Sequence, residues 1–248
     1  MSTKKTAVIS LILLTIVIAA EFVIPTNPYL PTATELSEGV KLLHSETGFL
    51  FKLIATAGEV LAVLLLATGL AFVTVLLLPL KLFSQNDALR SHGFAGYMVP
   101  HFIIALLIIT WFGNDGFAGF VVITLLTASQ IVLFLIKRLR SYPMRYIDFF
   151  STLSDSSEKA QKKLIQKLIL PSIAEDLYAH HLSVWSITLI VGFLQNNNDS
   201  YAGVLRYAYD LWDTPLVFVS VMFLMVIIYF TGLGLKGLSV GVITEDVQ

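Results

Sequence analysis

The chain has 248 residues, 56% of them hydrophobic and 13% charged, with a mean hydropathy of +0.80. A soluble domain of this length carries about a quarter charged residues, so the composition excludes that class and points to an all-α membrane protein that crosses the bilayer several times. A net charge of −1 gives no field for nucleic acid, and the lack of cysteine excludes disulfides, thiolate metal sites and Cys nucleophiles.

Six spans are predicted, at about residues 7–24, 49–80, 97–112, 117–136, 173–194 and 215–235. Lys4-Lys5 and the apolar run after it resemble a signal peptide, with Ala19-Ala20 as a mimic of a cleavage site. The run continues through Phe22-Val23-Ile24 to Pro25, so a retained first span is expected. Of the 16 Lys and Arg, only Lys41, Lys52 and Arg206 fall on the side opposite the rest. That bias predicts cytoplasmic termini and a cytoplasmic 137–171 segment, with the loops around 25–48 and 195–213 facing outward. No polar stretch is long enough for a second core, so residues 1–248 are expected to form a single transmembrane domain. Asn196 to Ser200 read as a polar turn, and the glycines 232, 234 and 237 as a flexible end to the last span.

The cytoplasmic segment carries its own pattern. Tyr142-Pro143 blocks a continuous helix. Asp155 and Glu158 then stand where an N-cap and its N3 partner belong. Ala160, Leu164 and Leu168 recur every four residues, with Lys159, Lys162, Lys163 and Lys167 on the other face. This predicts an amphipathic helix closed by Pro171, serving either as an interfacial helix on anionic lipid or as a docking helix for a soluble partner.

The order of these pieces resembles the permease subunit of a type I ABC importer of the nitrate/sulfonate/taurine class. Tyr29-Leu30-Pro31-Thr32-Ala33 is similar to that family's stretch after the first span. Pro100 to Leu106, followed by Trp111-Phe112-Gly113, resembles its third-span segment. Leu168-Ile169-Leu170-Pro171 resembles the end of its EAA loop, and Gly203 with Trp212 to Phe218 resembles the approach to its last span.

The departures are specific. Counting back from Leu168, Glu158 stands at the EAA-loop glycine and Thr152-Leu153-Ser154 at Glu-Ala-Ala. Alternatively Asp148-Phe149-Phe150 with Ser154 keeps the spacing, with four residues inserted. In the second span Glu59 reverses the charge of a family arginine, and Val63, Ala71 and Val75 replace glycines. Small residues allow close helix approach, so these replacements favour a heterodimer with a second permease subunit over a homodimer.

The resemblance implies a bacterial inner-membrane, multi-pass protein with both termini cytoplasmic, importing a small solute by alternating access. Its implied partners are two nucleotide-binding ATPase subunits, a second permease subunit, an extracytoplasmic solute-binding protein and the lipid membrane, with no nucleic acid. ATP and Mg would sit on the ATPases, and this chain would bind no cofactor and carry no catalytic residue. ATPase docking would fall on Thr152, Leu153, Ser154, Asp155, Glu158, Ala160, Leu164 and Pro171. Candidates for the translocation path are Glu59, Pro100, His101, Asp176 and His180.

Glu59 reads either as a path acid or as a group near the outer headgroups or paired with another subunit. Asp176 and His180 lie one helical turn apart, with Glu175 and His181 beside them. They read as a satisfied polar cluster, as a gate, or as two ligands of a metal site for which no third is evident. Trp111, Trp212, Tyr201, Tyr207 and Tyr209 are expected in an outer aromatic belt. Asp210 and Asp213 are read as solvated or as facing a binding protein. A permease-derived scaffold without transport and a metal-dependent membrane enzyme using Asp176, His180 and His181 are the alternative functions.

Overall fold

The computed structural model describes residue 15 and residues 31–77, 101–113, 115–141 and 173–245, and among them every element is a helix. They are α1 (Ala33–Thr47), α2 (Phe49–Leu77), α3 (His101–Phe112), α4 (Gly116–Ser141), α5 (Ile173–Leu194), α6 (Tyr201–Asp210) and α7 (Thr214–Glu245). Apart from residue 15, the first predicted span lies outside the described residues, as do residues 142–172.

Four of these helices are long and apolar enough to cross a membrane: Phe49–Leu77, Gly116–Arg138, Glu175–Leu194 and Thr214–Gly237. They match the second, fourth, fifth and sixth predicted spans. In a bilayer the backbone must satisfy its own hydrogen bonds, and uninterrupted apolar helices do so. The chain is thus an all-α, multi-pass membrane protein. α3 coincides with the described part of the third predicted span.

α5 is the hub of the bundle, packing against α2, α3, α4, α6 and α7. One core layer joins Val60, Val63 and Leu64 of α2 to Ile123 of α4 and to Val184, Trp185 and Val191 of α5. A second layer, toward the far end of α2, joins Ala67, Ala71 and Val75 to Ala128, Ile131 and Leu135 of α4. Val63, Ala71 and Val75, which the sequence resemblance sets against glycines, are fully buried within the subunit, where neighbouring helices accommodate their bulk.

Two stretches expected as loops are helical. α1 begins at a capping box, in which the Thr32 hydroxyl accepts the Glu35 N–H and the Glu35 carboxylate accepts the Thr32 N–H. It ends at Gly48, whose φ of 60° is a left-handed cap that glycine adopts without strain. α6 follows the Asn196–Ser200 turn. Both are shorter than a span and lie over one end of the bundle, where Leu43, Phe49, Tyr201, Val204, Ala208 and Leu216 form a third core layer. The last span also differs from expectation. α7 runs unbroken through glycines 232, 234 and 237 to Glu245, because helical hydrogen bonding in an apolar segment outweighs the weak propensity of isolated glycines. Its start is set by Asp213, whose carboxylate accepts the Leu216 N–H at 3.1 Å.

Candidate functional site

Two polar sites interrupt the apolar interior, one near each end of α5. At its Ile173 end, Arg138 of α4 reaches across to α5. Its guanidinium donates to Glu175 Oε2 at 3.1 Å and to Asp176 Oδ1 at 3.3 Å. Glu175 is half-exposed, whereas Asp176 is only 1% exposed and its Oδ2 has no hydrogen-bond partner. A buried carboxylate of this kind is tolerated because a fixed cation faces it.

The neighbouring histidines take separate partners. His180 is buried edge-on to Phe134 at 5.7 Å between ring centroids. His181 Nε2 lies 3.0 Å from the Thr231 hydroxyl of α7. The predicted Asp176 and His180 pair therefore lies on one stretch of α5 but serves different neighbours. Among the described residues, no three His, Asp or Glu side chains converge to hold a metal ion.

At the other end of α5, a small recess opens between α2, α4, α5 and the start of α6. Glu59, Thr56, Thr188, Gln195, Asn197 and Ser200 supply its polar lining. Gly116, Gly119, Phe120 and Ile123 of α4 supply the facing wall. The recess is small, with about 20 Å³ of room, enough to hold a water molecule. The surrounding contacts are well defined. Thr56 accepts the buried Tyr201 N–H at 2.9 Å, and the Tyr201 hydroxyl donates to the Ser220 carbonyl at 2.7 Å. Gln195 donates from Nε2 to the Gly113 carbonyl at 3.2 Å, which ties α5 to the α3–α4 turn.

Tyr201 thus departs from the expected aromatic belt. It is fully buried, and burial pushes its phenol above the ordinary value, so it remains a donor. Trp111 and Trp212 do stay exposed, at 72% and 82%. Asp213 caps α7, and Asp210 pairs with Arg206 at 3.5 Å.

The predicted path residues are only partly brought together. Glu59 is half-buried in the recess, and Asp176 and His180 lie at the opposite end of α5. His101 opens α3, but its side chain, like Pro100, lies outside the described residues. So do all the predicted docking positions: Thr152, Leu153, Ser154, Asp155, Glu158, Ala160, Leu164 and Pro171. Sequence reasoning missed Arg138, Thr56, Thr188 and Gln195 as site residues. The i, i+3 spacing of Thr56 and Glu59 and the i, i+7 spacing of Thr188 and Gln195 were the available signals.

No curated protein and no solved structure matches the chain. A family model does. Residues 83–235 match the "Binding-protein-dependent transport system inner membrane component" family, a stretch that runs from before α3 through most of α7. A four-span bundle centred on α5 fits that match, and the chain belongs to this family of type I ABC transporter permease components.

Proposed function

We propose that the chain is one half of the pore of an importer of the nitrate/sulfonate/taurine class, moving a small solute inward by alternating access. The observation that carries this reading is the family match over residues 83–235, which includes the 137–171 segment together with the spans on either side of it. Two ATPase subunits would close on ATP and press on the helix around residues 152–166. A second permease subunit, a heterodimeric partner in preference to another copy, would complete the pore, and an extracytoplasmic binding protein would deliver the solute. The hydrolytic chemistry would belong to the ATPases, and this chain would bind no cofactor. The basic bias of residues 137–167 supports a cytoplasmic placement of that segment and both termini in the bacterial inner membrane.

The Arg138 clamp suits this role. It joins α4 just before the 142–172 segment to α5 just after it, so thrust on the segment reaches two spans together. The experiment is affinity purification in mild detergent. A nucleotide-binding subunit is expected to co-purify with the intact chain and to be lost when residues 156–167 are deleted. Absence of an ATPase from the intact complex, or its retention after the deletion, refutes the reading. The lost loop glycine, with Glu158 or Ser154 in its place, favours a second reading, that of a permease-derived scaffold. Solute uptake with intact ATPases and a mutated docking helix separates the two, because a scaffold leaves uptake unchanged.

A further inference from the structure

The recess beside Glu59 places a carboxylate within the bundle with no Lys, Arg or His among its lining residues. Glu59 stands ten residues into α2, about 15 Å along the helix from Phe49. A charge at that depth calls for a counter-charge or a wet cavity. The other polar side chains that line the recess bring oxygen atoms. Thr188 is 5% exposed, and its hydroxyl is buried with no hydrogen-bond partner. Gln195 is 4% exposed and spends its NH₂ on Gly113, leaving Oε1 as an acceptor. Thr56 is held by the Tyr201 N–H, and Ser200 gives its hydroxyl hydrogen to the Asn197 carbonyl.

We propose that this recess binds one monovalent cation of about sodium's size, held by the Glu59 carboxylate and by oxygens of Thr56, Thr188 and Gln195. Hard cations take oxygen ligands, and charge count selects among them. One carboxylate neutralises one positive charge. Calcium sites gather several carboxylates and magnesium keeps several waters, whereas a single carboxylate lines this small recess. Thr56 and Glu59 come from α2, outside residues 83–235, so the site combines the family stretch with a helix that precedes it.

The test is thermal unfolding of the full chain in detergent, titrated with NaCl against choline chloride at equal ionic strength and at several pH values. Sodium is expected to raise the midpoint saturably by about 2–4 °C, and choline not at all. Glu59→Gln is expected to abolish the rise, and Thr188→Val to weaken the apparent affinity roughly tenfold. An equal response to choline overturns the proposal. So does a midpoint that follows pH and ignores sodium, since the carboxylate then carries a proton instead. If Glu59→Gln does not fold, the wild-type comparison of salts and the Thr188→Val titration decide.

Discussion

Gly203 lies in the first turn of α6, where an added Cβ would press on the Asn197 carbonyl oxygen and stand 2.9 Å from Asn198 Cα. Both obstacles are backbone, so the turn and the helix must separate to admit a methyl group. Gly203→Ala is expected to destabilise the protein by about 1–3 kcal/mol, measured as a lower unfolding midpoint in detergent. Gly58 provides the contrast. It is exposed on α2 with nothing near its missing Cβ, so Gly58→Ala is expected to be neutral or stabilising by up to about 1 kcal/mol. The resemblance at Gly203 was legible in the sequence, but its reason was not. The close approach depends on a turn whose path is set by the Ser200-to-Asn197 hydrogen bond and by the positive φ of Asn196.

At the scale of elements, α6 is fastened to the bundle by Tyr201. Its N–H is accepted by Thr56 of α2, and its hydroxyl donates to the Ser220 carbonyl of α7. Thr56→Val keeps the shape and removes the acceptor, leaving a buried N–H unpaired. The expected cost is about 1–3 kcal/mol, with faster amide exchange at Tyr201, and Thr56→Ser is expected to restore both. The long spans were legible because runs of apolar residues near bilayer length have few alternatives. α1 and α6 were not, because each is too short for a span and lies within a stretch assigned to a polar loop. The Thr32 and Glu35 capping box was the readable sign of α1. For α6 the helical face became apparent only against its neighbours in the third core layer.

Across the whole molecule, α4 and α5 are joined by charge where the 142–172 segment leaves and returns. Arg138→Gln leaves Asp176 buried without its cation, and a loss of about 3–5 kcal/mol is expected. Glu175 is largely solvated, so Glu175→Gln is expected to cost less than about 1 kcal/mol. Adding Asp176→Asn to Arg138→Gln is expected to recover part of the loss, which unfolding of the double variant measures. The sequence placed Asp176 and Arg138 near one end of the spans through the basic bias. Their pairing was not legible, because it joins residues 38 positions apart on two helices whose connecting segment does not fix their rotation by its length. Large apolar residues along α7, among them Met222, Met225, Tyr229 and Phe230, are more than half exposed, which gives this helix a face for lipid or for a second subunit.

α5 connects the two polar sites. It is a rod about 33 Å long, with the Arg138 clamp at one end and Gln195 of the recess at the other. A stiff helix carries displacement between its ends without a chain of intermediate switches. Two occupants of one rod are bound by reciprocity: if thrust at the Ile173 end alters the hold on an ion near Gln195 by some factor, the ion alters the work of that thrust by the same factor. The salt composition on one side of the membrane would then set how readily the other side is driven.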